Sequence, residues 1–177
     1  MIKDIDLLEQ IIDRFATCLG NDRSGYRNHV YRLINLCDLQ AALTPTDLEK
    51  VVIAGAFHDL GIWTANTFDY LLPSRQLAVA FLTEHGQQAW IDDVTHMIDD
   101  HHKVSAASRN PQHLAEIFRR ADWVDVSLGL LTFGLDRRKL RAIRQAFPNA
   151  GFHRRLMTLS TRRLLSHPCD PLPMVKR

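Results

Sequence analysis

Apolar residues recur at spacings of three and four along almost the whole chain, which is the period of amphipathic α-helices. No segment shows the apolar–polar alternation that is typical of a β-strand, and no segment repeats another. A chain of 177 residues is the right size for one hydrophobic core. The pattern therefore predicts an all-α fold with a single domain that spans 1–177.

Glycine, proline and capping residues divide this pattern into separate helices. Thr44 followed by Pro45 is a strong start signal, and we place further helix starts at Ser24 and at Asn110-Pro111. The predicted helices cover roughly 4–19, 24–42, 44–59, 73–85, 87–102, 111–126, 136–147 and 151–166. We expect loops over 61–72 and 128–135.

The composition indicates a protein of a reducing, aqueous compartment. The first residues, MIKDIDLLEQ, are acidic and amphipathic, so they do not have the pattern of a signal peptide. No apolar run approaches the ~20 residues that span a bilayer. The three cysteines form no CxxC pair. We therefore expect a cytoplasmic protein with no membrane contact, disulfide framework or thiolate metal site.

Several of the predicted helices carry a histidine or an aspartate in line with their apolar residues. These residues are His29, His58, Asp59, His85, His101, Asp122 and Asp125. An isolated buried carboxylate is costly, whereas a divalent cation gives buried imidazoles and carboxylates a common partner. The joint placement therefore predicts a metal site where these helices meet.

The order and context of four of these residues resemble a known protein family. His29, the pair His58-Asp59 in AFHDLG, and Asp122 in RRADWVD look like the H…HD…D signature of the HD superfamily of metal-dependent phosphohydrolases. The segment MIDDHHK resembles the paired-histidine segment that many members carry. The resemblance covers about 24–126 and leaves a C-terminal extension over about 127–177.

This resemblance implies a helical bundle of the HD type with a metal at its centre. It assigns His29, His58, Asp59 and Asp122 as ligands of a divalent ion such as Mn, Mg, Fe, Ni or Zn, with Asp59 also taking part in catalysis. The implied reaction is hydrolysis of a small phosphorylated substrate, such as a nucleotide, by metal-activated water.

The sequence departs from the family pattern at two places. Ile62 and Trp63 stand where several branches have a Glu or Lys that handles protons. The remaining candidates for proton transfer are Asp69, His101, His102 and Lys103. Because His101 continues the apolar stripe of its helix, we expect it to protonate the leaving group, with His102 and Lys103 facing the substrate.

The second departure concerns a second metal ion. Dinuclear members place a histidine before a proline in the helix after the HD pair, and here that place reads Leu71-Leu72-Pro73. His85, at the far end of that helix, is the candidate substitute, but we expect a site with one ion. The aromatic residues Trp63, Phe68 and Tyr70 either stack on the substrate or close the core. Arg119 and Arg120 meet either the substrate or a surface carboxylate.

Two other functions stay open at this point. The extra histidines His85, His101 and His102 would suit an HD-type diiron oxygenase. The missing Glu or Lys would suit a non-catalytic metal- or ligand-binding regulatory module.

Partner expectations come from charge and from one apolar loop. Segment 136–163 holds nine basic residues against one acidic residue, and Arg137, Arg141 and Arg144 share one helix face. We expect a positive patch away from the metal that serves partner contact or solubility, and no nucleic-acid binding. The apolar loop LGLLTFGL could support a homodimer.

Overall fold

Helices form all of the regular structure in residues 1–168 and 174–175, which are the residues that the computed structural model describes. The helices are α1 (Asp6–Arg14), α2 (Ala16–Leu19), α3 (Arg23–Ala41), α4 (Pro45–Phe57), α5 (Gly61–Thr64), α6 (Leu71–Glu84), α7 (Ile91–Asp100), α8 (Leu114–Val126), α9 (Arg137–Ala146) and α10 (Phe152–Ser166). The all-α prediction is confirmed. None of the described helices is both long and apolar enough to cross a membrane.

Local signals place some helix ends correctly. Thr44 caps α4, because its side chain accepts a hydrogen bond from the Asp47 backbone N–H while Pro45 occupies the first turn. Asp136 caps α9 in the same way by accepting from the Arg138 N–H. These two starts need only residues within one helical turn, so the sequence suffices to predict them.

Other predicted ends are wrong. α8 begins at Leu114 instead of at Pro111, because the His113 ring accepts a hydrogen bond from the Ala115 N–H and so caps the helix. Ser24 lies inside α3, and makes no capping hydrogen bond. The expected loop over 61–72 contains the short helix α5 and the first residues of α6.

Helix α3 lies at the centre of the bundle. It packs against α4 and α8, while α7 packs against α4, α6 and α8. The apolar stripe of α3 is fully buried, as its spacing predicts, at Tyr26, Val30, Leu33 and Cys37. The polar residues on the stripes of α3, α4 and α8 therefore face a shared interior space.

Close approach of two backbones positions the segment that follows α4. A Cβ atom added at Gly61 would lie 2.5 Å from the Tyr70 carbonyl oxygen, so only glycine fits there. The Gly61 N–H also donates to the Ser74 hydroxyl at 2.9 Å. The start of α6, and with it Tyr70, is thereby held against the end of α4.

The C-terminal helices α9 and α10 pack on the same core. α9 buries Leu140 and Ile143, and Phe147 follows them, while Arg137, Arg141 and Arg144 line a surface cavity. Leu140 lines the same cavity, so the arginine face and the apolar face adjoin each other and are not opposite. α10 begins with Phe152, whose ring stacks on His29 with centroids 4.1 Å apart.

Candidate metal centre

Four side chains from three parts of the bundle converge on one buried point. His29 comes from the middle of α3, His58 and Asp59 from the end of α4, and Asp122 from α8. All four side chains are at most 5 % exposed. Each lies on its helix one turn beyond apolar core residues, which is why burial of the stripes brings the polar groups together.

The donor atoms lie at separations that suit one shared ion. His29 Nε2 is 3.1 Å from His58 Nε2, and Asp59 Oδ2 is 3.3 Å from His58 Nε2 and 3.9 Å from His29 Nε2. Asp122 Oδ1 lies 3.7 Å and 4.0 Å from the same two nitrogens. Two ligands held at ~2.1 Å from one metal lie at most ~4.2 Å apart, so these separations fit.

The histidine rings are oriented with Nε2 towards this point. His58 Nδ1 donates to the Gly55 carbonyl oxygen at 2.8 Å, and His29 Nδ1 donates to Asp125 Oδ2 at 2.7 Å. In a neutral ring the remaining nitrogen carries a lone pair. Two lone pairs 3.1 Å apart repel each other unless a cation or a proton lies between them, so the two rings are arranged to share one positive charge.

Polar atoms without partners lie at the same point. Asp59 Oδ1 and His101 Nε2 are both buried, 3.5 Å apart, and neither has a hydrogen-bond partner among the described residues. Burial also raises the pKa of Asp122 by more than the surrounding histidines lower it. A divalent cation would satisfy both carboxylates, so the residues present fit the metal that the site implies.

Asp125 is a further residue of the site to which the sequence analysis assigned no role. Besides accepting from His29 Nδ1, its carboxylate accepts from Arg32 Nε at 2.6 Å and from an Arg32 terminal nitrogen at 2.8 Å. Burial disfavours its charge, but the His29 and Arg32 hydrogen bonds outweigh burial and lower the pKa of Asp125. The carboxylate therefore fixes the ring orientation and tautomer of His29.

Removing the Asp125 charge should weaken metal binding. We expect Asp125→Asn to lower metal affinity by roughly 10–100-fold, because His29 loses the carboxylate that orients it. Competition with a chromophoric chelator measures the affinity on folded protein.

Glu116→Gln is the matched control, because Glu116 is a buried carboxylate that binds Arg119 on the same helix but touches no donor atom. An affinity loss of equal size in both variants would contradict the orienting role of Asp125.

The paired histidines occupy different positions. His101 is fully buried against Asp59, and its Nδ1 donates to the Ile98 carbonyl oxygen at 2.7 Å. His102 lies 3.7 Å from Asp122 Oδ2 through Nδ1 and 2.6 Å from the Tyr70 hydroxyl through Nε2. Burial lowers the pKa of His102 and raises that of Tyr70, so a neutral ring and a neutral phenol share this hydrogen bond.

Two sequence candidates are not brought to the centre. His85 is exposed at the end of α6, where its Nδ1 donates to the Phe81 carbonyl oxygen, so it does not replace the missing second-metal ligand. Asp69 is exposed and lies outside the described groups of metal-binding side chains. Both proposals fail because these side chains lie at helix or loop ends that face solvent.

The basic candidates have carboxylate partners. Arg119 and Arg120 both bind Glu116, at 2.8 Å and 2.7 Å. Lys103 Nζ is 3.7 Å from Asp100 Oδ2, and Lys103 does not line the cavity beside the centre. A catalytic role for Lys103 therefore stays a prediction that this geometry does not favour.

A cavity of about 260 Å³ opens beside the donor atoms. Asp59, Asp122 and His102 form its polar end, and Phe68 and Tyr70 lie on its wall. Trp63 is elsewhere, against Tyr26 with ring centroids 4.9 Å apart. Of the three aromatic residues singled out from the sequence, two thus line the cavity and one closes the core.

Protonation of His58 substitutes for the cation when metal is absent. Burial opposes the charge of its ring, but the Asp59 carboxylate outweighs burial and raises the pKa of His58 from 6.5 to about 9. Because the pKa of His58 is raised in the folded state, its proton stabilises the fold. This contribution is complete below pH 6.5 and is lost as the pH rises through about 9. Metal binding should displace this proton.

We therefore expect the free energy of unfolding of metal-free protein to fall between pH 6.5 and pH 9. The full pKa shift of His58 corresponds to a loss of about 3 kcal/mol. Metal-loaded protein should show no such loss over this range, because His58 is then a neutral ligand. Thermal unfolding with chelator and with metal, at both pH values, measures the difference. Equal losses with and without metal would contradict the assignment of His58.

Comparison with known proteins gives one match. The sequence model of the HD domain matches residues 26–127. This range contains the four converging side chains together with Asp125, His101 and His102, and it ends before α9 and α10. No curated protein and no solved structure shows significant similarity to the chain.

Proposed function

The chain belongs to the HD domain family, a superfamily of metal-dependent phosphohydrolases, and we propose that it hydrolyses the phosphate ester of a small molecule. One observation carries the proposal. His29 Nε2 and His58 Nε2 lie 3.1 Å apart beside two buried carboxylates, and this cluster opens onto a cavity of substrate size. A donor set of this kind is an ordinary site for a divalent cation.

The proposed ligands are His29, His58, Asp59 and Asp122. When bound, a divalent cation would lower the pKa of a coordinated water and neutralise charge on a phosphoryl oxygen. Asp125 and Arg32 keep the His29 ring in place, and the Gly55 carbonyl oxygen does the same for His58. Because these contacts engage Nδ1 of each ring, Nε2 of both rings is free to bind the cation.

We propose His101 as the group that holds the proton for the leaving oxygen. Its Nδ1 proton is committed to the Ile98 carbonyl oxygen, so a further proton on Nε2 makes the ring cationic. Nε2 lies 3.5 Å from Asp59 Oδ1, beside the proposed metal position. His102 and Tyr70 form the adjacent wall and exclude water from this side of the cavity.

The diiron oxygenase alternative depends on extra histidine ligands. A second group of possible donors, Asp59, His101 and His102, does lie at the centre. His85 does not join it, which leaves the second ion with fewer ligands than the sequence suggested. Metal stoichiometry distinguishes the alternatives, because the oxygenase needs two iron ions.

A panel of phosphomonoesters and phosphodiesters tests the proposal. Each substrate is incubated with Mn²⁺, Mg²⁺, Ni²⁺ or Fe²⁺, and released phosphate or alcohol is measured. We expect hydrolysis with at least one cation and none after chelation. A metal-loaded protein that hydrolyses no member of the panel would contradict the proposal and favour a regulatory module.

A further inference from the structure

Apart from its polar end, the cavity beside the metal centre has a largely apolar wall. Trp123 and Val126 of α8, Leu156 of α10, and Phe68 lie on this wall. Tyr70 and Met174 are also part of it, and both are almost completely buried. A substrate in this cavity would therefore contact the carboxylates at one end and mainly apolar groups elsewhere, with Ser160 as a polar residue of the wall.

The described residues of this wall include no cationic side chain. No lysine or arginine lines the cavity in the part of the chain that the structure describes. Arg119 and Arg120 come closest in sequence to Asp122, and both are paired with Glu116. Proteins recognise phosphate chains with arginine and lysine, so a second or third phosphate would have no partner here.

The size of the cavity also limits its occupant. Its volume of about 260 Å³ is just below the ~300–1,000 Å³ of typical small-molecule pockets. That volume matches a ring with a few substituents.

Part of the cavity wall lies outside the segment that matches the HD domain. The family match ends at residue 127, whereas Leu156, Ser160 and Met174 lie beyond it. The C-terminal helix α10 reaches the cavity because Phe152, at its start, stacks on His29. The extension thus completes the pocket around a metal centre that the domain provides.

We propose that this cavity binds the organic part of the substrate, which is a phosphate monoester of an alcohol carrying a small apolar ring. A nucleoside diphosphate or triphosphate does not fit this description. The proposal rests on the phosphohydrolase function and adds the substrate class. Leu156 and the other apolar wall residues are the specificity determinants.

Two esters of primary alcohols test this preference without a change in leaving-group chemistry. We expect kcat/KM for 2-phenylethyl phosphate to exceed that for glycerol 3-phosphate by at least ~10-fold, because only the first buries an apolar ring. Adenosine triphosphate should be the poorest substrate of the three.

A pair of variants on one helix assigns the preference to the wall. Leu156→Ser should bring the ratio of the two kcat/KM values close to one, mainly by raising KM for the phenylethyl ester. Leu164→Ser is the matched control, because Leu164 lies on α10 at 50 % exposure and does not line the cavity. It should leave the ratio unchanged.

A binding measurement that needs no turnover separates this inference from the proposed function. The non-hydrolysable 2-phenylethylphosphonate should change the fluorescence of Trp123 in metal-loaded wild-type protein, and Trp123→Phe should lose that signal. Equal kcat/KM values for the two esters, or no fluorescence change, would overturn the inference while phosphohydrolase activity stands. Fluorescence change without hydrolysis of any ester would support the pocket and contradict the function.

Discussion

Asp59→Ala protein should retain almost no divalent metal after purification, and its phosphohydrolase activity should fall to background. Asp59 contributes an oxygen 3.3 Å from His58 Nε2, and its other oxygen faces His101. Without Asp59, the remaining donors bind the ion too weakly for it to stay bound during dialysis, because each buried ligand supplies part of the binding free energy. His58→Ala and Asp122→Ala should behave in the same way.

Elemental analysis of folded protein measures this result. Asp99→Ala is the matched control, because Asp99 pairs with Arg75 at 3.1 Å near the end of α7 and touches no donor atom. Circular dichroism verifies that each variant is folded, since loss of a buried charge partner is destabilising. If Asp59→Ala does not fold, Asp59→Asn keeps the shape of the side chain and removes its charge. Full metal occupancy in either folded variant would refute the ligand assignment.

The second large effect concerns proton transfer. His101→Ala should keep at least one bound ion but lose at least ~10²-fold in kcat, the range that general acid catalysis supplies. The reason is the position of Nε2, which faces Asp59 Oδ1 at 3.5 Å and has no other partner among the described residues. The measurement is steady-state kinetics on protein whose metal content has been verified.

His96→Ala provides the control for this experiment. His96 lies on the same helix, with its side chain 40 % exposed and its Nε2 3.4 Å from Asp100 Oδ2, away from the centre. It should keep both metal and kcat. Near-normal kcat in His101→Ala would place the proton donor elsewhere. Loss of one of two ions would make His101 a ligand of a second metal.

The convergence of these side chains was predictable because helical periodicity decides which face is buried. His29 lies between Tyr26 and Leu33, and Asp122 lies one turn after Phe118, so burial of the stripes moves both inward. The resemblance then grouped these residues with His58 and Asp59. Such predictions need only the spacing along each helix and the knowledge that the helices share a core.

Contacts between distant segments were not predictable in this way. Asp125 was recognised as a buried polar residue, but its pairing with Arg32 joins positions 93 residues apart. The Tyr70–His102 hydrogen bond depends on how close α6 comes to the end of α7, which Gly61 permits. His113 was missed as a helix cap because histidine is not among the usual capping residues.

Anomalous diffraction from crystals of the metal-loaded protein, at the absorption edge of the bound element, tests the central claim most directly. We predict one strong peak within ~2.0–2.3 Å of His29 Nε2, His58 Nε2 and an oxygen of both Asp59 and Asp122. A peak at another place, or no peak in protein that elemental analysis shows to contain metal, would contradict it.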